Sequence, residues 1–183
     1  MGNFSFLQTG IEGLIVVEPK IFGDDRGYFM ETYHYEDYKN GGIGATFVQN
    51  NQSLSKKGVL RGLHFQTRNP QGKLVRVLEG EVFDVAVDIR PNSTTFKKWY
   101  GVNLSASNRK QMYIPEGFAH GFLVLSETAV FSYMCTNFYD PTHESGLKWN
   151  DPEIGIVWPL EGISQVSLST KDENWKSINE LSQ

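Results

Sequence analysis

The sequence predicts an all-β fold, a sandwich or jelly-roll barrel with a few short helices, and three observations lead there. Short β-branched and aromatic runs end at turn residues about every ten positions. Apolar and polar residues alternate within several of these runs, which is the period of a strand. Helical periodicity is confined to "HYEDYKN" and "DENWKSINEL". Many short antiparallel strands in one chain favour a closed or two-layered β architecture, whose ligands bind at a mouth among inward-facing side chains.

In chain order the strand candidates are "LIVVEP" from Leu14, "GYFMETY" from Gly27, "TFVQNNQS" from Thr46 and "RGLHFQ" from Arg61. "LVRVLEG" and "EVFDVAVDIRP" follow and read as a hairpin turning at Glu79-Gly80-Glu81. Within the second arm Phe83, Val85, Val87 and Ile89 alternate with Val82, Asp84, Ala86 and Asp88, so one face is apolar and the other carries carboxylates. "WYGVNLSASN", "QMYIPEG", "GFLVL" and "AVFSYMCT" complete the set. No linker, repeat or low-complexity tract divides the chain, and a single domain over residues 1–183 is expected.

Composition narrows the function classes. The chain has 183 residues, 39% of them hydrophobic, and can close a core without disulfides or a structural metal. Cys135 is the only cysteine, which fits a reducing compartment. The N-terminal stretch lacks a basic region, and its longest apolar run, Leu14 to Val17, is too short for a signal peptide or membrane span, so a cytoplasmic protein is expected. A net charge of −4 argues against a nucleic-acid partner. The charges are uneven, however. No acidic residue lies between Asp37 and Glu79, where Arg61, Lys73 and Arg76 interrupt strand-like runs, and that points to a small anionic ligand.

Two histidines stand out. In "RGLHFQ", strand alternation puts His64 on the face opposite Leu63 and Phe65, and also opposite Arg61 unless a bulge near Gly62 intervenes. In "YIPEGFAHGF", Pro115 and Gly117 fix a turn after which His120 begins a strand. The second pattern resembles the later motif of the cupin superfamily, which implies a double-stranded β-helix. Metal-binding cupins carry a His-x-His pair in the earlier motif, and here that place reads His64-Phe65-Gln66 with no acidic residue before Glu79. Two histidines are too few for a transition-metal site, so no catalytic metal, and hence no metal cofactor, is expected.

The whole chain resembles one family, the dTDP-4-dehydrorhamnose 3,5-epimerases. The matching stretches are "FGDDRGYFMETY", "FVQNNQS", "GVLRGLHFQ", "QGKLVRVLEGEVFDVAVDIR", "YIPEGFAHGF", "YMCTNFY", "WNDPEIGIVWP" and "LSTKD". The resemblance implies inversion of C3 and C5 of dTDP-4-dehydro-6-deoxyglucose by enolisation. It implies His64 as general base, Asp172 as its orienting partner, Lys73 beside the developing O4 enolate and Tyr133 as the acid on the opposite face. Without it, Asp172 also reads as a helix N-cap, and both roles require separate oxygens. Arg61, with bidentate geometry for phosphate, and His120 and Tyr139, for the sugar, are implied as substrate contacts. Arg26, Phe29 and Glu31 correspond to nucleotide-binding residues, and Gln49 and Asn51 to polar contacts on one strand face. A homodimer sharing the nucleotide site is implied as well. Asn50, Gln52 and Phe138 depart from the family's usual residues. Single-centre epimerases, 3,4-ketoisomerases, a non-catalytic sugar-nucleotide sensor and a metal-dependent cupin are the competing readings.

Overall fold

The computed structural model describes residues 2–181. Its strands are β1 (Phe4–Gln8), β2 (Ile15–Pro19), β3 (Phe22–Asp24), β4 (Gly27–Phe29), β5 (Gln49–Lys56), β6 (Leu60–Gln66), β7 (Lys73–Glu79), β8 (Glu81–Asp88), β9 (Trp99–Ser105), β10 (Gln111–Ile114), β11 (Phe118–Val124), β12 (Thr128–Cys135) and β13 (Glu144–Gly146). The helices are α1 (Tyr35–Asn40), α2 (Thr170–Glu173) and α3 (Ile178–Leu181). A six-stranded sheet in the order β1-β2-β10-β7-β12-β5 faces a five-stranded sheet in the order β13-β6-β11-β8-β9, and β3 pairs with β4 as a separate hairpin. The paired strands are antiparallel, and the all-β jelly-roll barrel that the sequence predicts is the observed fold.

Alternation explains the layering. Val75, Val77, Val82, Ala86, Leu104, Met112, Phe122 and Phe131 point between the sheets and make the barrel core. Val85, Val87, Leu63 and Leu123 point outward, yet they are buried by Leu147, Ile154, Trp158 and Ile178 from the C-terminal third. On the outer side of the six-stranded sheet Tyr38 of α1 and Ile43 cover Ile15, Val17 and Leu74. One corner departs from the sequence reading. β7 and β8 do not form a hairpin with each other, because β7 lies between β10 and β12 while β8 lies between β11 and β9. Gly80 (φ 76°) turns the chain from one sheet to the other, with no room for a side chain beside the Thr128 carbonyl. The alternation expected for β8 holds, but both of its faces are buried, and the carboxylate face is the inner one.

The bulge anticipated at Gly62 is present. His120 pairs with His64 and Phe122 with Arg61, so three steps along β6 match two along β11. The additional residue turns Arg61 to the same side as His64. Gly62 has φ 128°, and an ideal Cβ there would lie 2.5 Å from Gly121 Cα and 2.8 Å from the His120 carbonyl oxygen. Gly62→Ala should therefore destabilise the fold by about 2 kcal/mol or more, since strain and backbone overlap add. For a chain of this size that lowers Tm by about 6 °C or more. A melting curve within ~2 °C of the parent, judged against that expected shift, would contradict the role given to the bulge.

Candidate active site

A cavity of about 300 Å³ opens between the sheets. Inward positions of β5 contribute Gln49, Asn51 and Ser53, β6 contributes Arg61 and His64, and β7 contributes Lys73. β11 adds His120, β12 adds Tyr133, β13 adds Glu144, and the segment after β12 adds Tyr139. Most of the residues expected from the sequence are thus brought together from distant parts of the chain. Asn50 and Gln52 alternate to the other face of β5, and Phe138 is exposed, so these departures from the family's usual residues do not line the cavity.

His64 and Asp172 form the pair the sequence suggested. Nε2 of His64 lies 2.5 Å from Oδ1 of Asp172, which is only 4% exposed. Trp175 Nε1 donates to the same carboxylate oxygen at 3.1 Å, and its ring stands edge-on to the imidazole. Burial alone would raise the Asp172 pKa, but the bonds from His64, Ser169 and Trp175 outweigh it and hold the carboxyl below its usual value. An ionised carboxylate on Nε2 assigns the proton to that nitrogen in the neutral ring, leaving Nδ1 as the basic lone pair. The N-cap alternative for Asp172 is corrected by α2 itself: Ser169 is the cap and accepts from the Asp172 amide. The Asp172 carboxylate is shared by His64 and Trp175 and takes no part in capping α2.

Lys73 lies on the inner face of β7, and among the described residues no hydrogen bond or ion pair takes its ammonium. Burial pulls its pKa below the ordinary value, while Cys135, Asp84 and Glu144 draw it back up. Tyr133 pairs across the sheet with Asn51 on one side and Val75 on the other. Burial and then Cys135 push its pKa up, with Asn51 and Arg61 opposing. The phenol is protonated at neutral pH. Arg61 donates through Nε to Ser55 Oγ at 3.0 Å, which holds the stem and leaves the guanidinium end for an anion.

Two functional candidates were not foreseen. Asp84, fully buried, receives His120 Nε2 at 3.0 Å on each of its oxygens, so His120 is fixed as firmly as His64. Its place on the carboxylate face of β8 was a legible signal. Glu144 gave no such signal, because in "DPTHES" it reads as ordinary surface charge. The glutamine that replaces a cupin histidine is structural: Gln66 donates to the Asn69 carbonyl and accepts from the Asp140 amide, pinning the segment that carries Tyr139. Among the described residues no three His, Cys, Asp or Glu side chains converge on a point where a metal ion could sit.

Three expected residues stand apart from this cavity. Arg26 is paired with Asp24 at 2.5 Å on the exposed β3–β4 hairpin. Phe29 is 65% exposed beside Phe22, and Glu31 accepts from Asn3 Nδ2 at 2.6 Å. Among the described residues the hairpin pairs only with itself, and Tyr28 rests on the Arg109 guanidinium of the same chain, so Arg26 and Phe29 line a separate surface groove while Glu31 lines neither. No helix among the described residues is long and apolar enough to cross a membrane.

Comparison with known proteins shows the family. The family model described as dTDP-4-dehydrorhamnose 3,5-epimerase matches residues 8–180. A dTDP-4-dehydrorhamnose 3,5-epimerase of Methanothermobacter thermautotrophicus is 53% identical over 98% of this chain and 97% of its own. That of Salmonella typhimurium is 55% identical over 91% of each. The crystal structure of a dTDP-6-deoxy-D-glucose-3,5-epimerase from Legionella pneumophila, solved with dTDP-4-keto-L-rhamnose, superposes with a TM-score of 0.93 at 52% identity, over 96% of this chain and 93% of that one. Sequence and fold agree over nearly the full length, and the chain belongs to the dTDP-4-dehydrorhamnose 3,5-epimerase family.

Proposed function

We propose that the protein inverts C3 and C5 of dTDP-4-dehydro-6-deoxy-D-glucose to give dTDP-4-dehydro-L-rhamnose. The observation that carries this reading is His64, backed by Asp172, in one cavity with Lys73, whose ammonium makes no hydrogen bond or ion pair among the described residues. The C4 ketone acidifies the neighbouring C–H bonds. His64 Nδ1 takes the proton from the carbon, the C–H electron pair moves into the C–C bond, and O4 becomes an enolate beside the Lys73 ammonium. Tyr133 then gives its proton to the opposite face of the same carbon. Each inversion leaves an imidazolium and a phenolate, which proton exchange with water resets. Because the substrate's own ketone is the electron sink, the chemistry requires no cofactor.

Arg61 is assigned to the diphosphate, and Gln49, Asn51, His120 and Tyr139 to positioning the nucleotide sugar. Arg26, Phe29 and Glu31 are assigned to the nucleotide of a neighbouring subunit in a homodimer, since none of them lines the cavity of its own chain. Arg26→Ala should then raise KM with little change in kcat. If Arg26 acts in trans, co-expression of His64→Ala with Arg26→Ala chains gives mixed dimers with one intact site, and random assembly restores about a quarter of the parent sites. No activity above that of the separate variants at low substrate would place Arg26 in its own chain's site.

The proposal is tested by incubating dTDP-4-dehydro-6-deoxyglucose with metal-stripped protein in heavy water and following the product by mass spectrometry and NMR. Deuterium at both C3 and C5 with inverted configuration is the expected result. Label at one carbon would reassign the protein to single-centre epimerisation, and binding without label would make it a sensor.

A further inference from the structure

Glu144 stands where the cavity wall meets α2. Its Oε2 accepts the Tyr139 hydroxyl at 2.6 Å and the Lys171 ammonium at 2.5 Å. The side chain is only 12% exposed, on the strand beside the one that carries His64. Burial would raise its pKa, but Lys171 and then Tyr139 outweigh that and keep it ionised. A phenol has a single proton and an ionised carboxylate has none to give, so the Tyr139 proton is committed to Glu144. That bond also pushes the Tyr139 pKa up to about 12, so the hydroxyl stays protonated at neutral pH. Toward the cavity Tyr139 can offer only lone pairs.

Tyr133 has the reverse polarity. Among the described residues no acceptor takes its proton, and neighbouring Asn51 accepts from Gln49 and donates to Cys135 instead. One cavity tyrosine is therefore a donor and the other an acceptor. We propose that Glu144 fixes Tyr139 as an acceptor-only group, so that this wall of the cavity selects a substrate O–H over an isosteric group unable to donate. The inference rests on the proposed function, in which the sugar carries free hydroxyls only at C2 and C3, and one of these meets Tyr139. Glu144 and Tyr139 are specificity-determining residues in this account, not groups that transfer a proton.

The probes are dTDP-6-deoxyglucose, which lacks the ketone and cannot enolise, and its 2-deoxy-2-fluoro and 3-deoxy-3-fluoro counterparts. Fluorine keeps the size of a hydroxyl and removes its proton. Calorimetry on the wild-type protein should show one fluoro compound binding about fivefold more weakly than the parent, the value of one neutral hydrogen bond. In Tyr139→Phe that ratio should fall to within about twofold. In Glu144→Gln it should fall as well, because Lys171 holds the amide oxygen, the amide N–H faces Tyr139, and the phenol proton turns to the cavity where fluorine can accept it. A general loss of packing would weaken parent and fluoro compounds together and leave the ratio unchanged, and that outcome overturns the inference. Equal binding of all three compounds by the wild-type protein overturns it too. No binding of the parent compound would instead remove the proposed function, and this inference with it.

Discussion

His64→Ala is expected to lower kcat by about two to four orders of magnitude while leaving dTDP affinity within about threefold of the parent, the range for loss of a positioned general base. The geometry makes the loss this large. Asp172 takes Nε2, so Nδ1 is the basic atom, and the other cavity histidine is already held by both oxygens of Asp84. No neighbouring group can replace it. The alanine variant leaves a buried carboxylate supported only by Trp175 and Ser169 among the described residues, and this weakens the fold. His64→Gln separates the two effects, because its amide N–H still meets Asp172 but has no basic lone pair. Turnover by His64→Gln within about tenfold of the parent, well short of a lost base, would remove His64 from the base role. Loss of dTDP affinity in a folded variant would contradict the division between sugar chemistry and nucleotide binding.

Much of this site was legible because it lies on strands. The alternation of Gln49 and Asn51 placed them on one face, and the bulge that joins Arg61 to His64 could be anticipated from Gly62. Residues outside regular strands were harder to read. Ser169, not Asp172, caps α2, and a cap cannot be told from a dyad partner until the chain folds back over β6. The Glu79-Gly80-Glu81 turn looks like a hairpin locally, because no local pattern tells a sheet-to-sheet corner from a return within one sheet. Glu144 becomes significant only through Tyr139 and Lys171, which meet it in space. The exposed Arg26–Phe29 hairpin marks the complementary limit, since its residues lie apart from their own chain's cavity and the fold of one chain gives them no role there.

Tyr133→Phe should lower epimerisation by a similar two to four orders of magnitude, the range for a lost general acid, with a distinct isotopic signature. The base and the Lys73 ammonium remain, so His64 can still remove the proton and form the enolate. Without a donor on the opposite face, the enolate is reprotonated from the imidazolium it has just formed. In heavy water that imidazolium exchanges, and the recovered substrate should carry deuterium with unchanged configuration. Loss of Lys73 would act earlier: Lys73→Met removes the charge that stabilises the enolate and should suppress exchange together with inversion. The fold tolerates the Tyr133 test well, because phenylalanine keeps the ring against Phe131 and removes only an oxygen that no described residue accepts a proton from. Tyr139 is excluded as the acid by the same bookkeeping of protons, since its hydrogen is held by Glu144. Should Tyr139→Phe, and not Tyr133→Phe, give labelled substrate without inversion, the two tyrosines would have to exchange roles. The acceptor polarity inferred for Tyr139 would then be wrong as well.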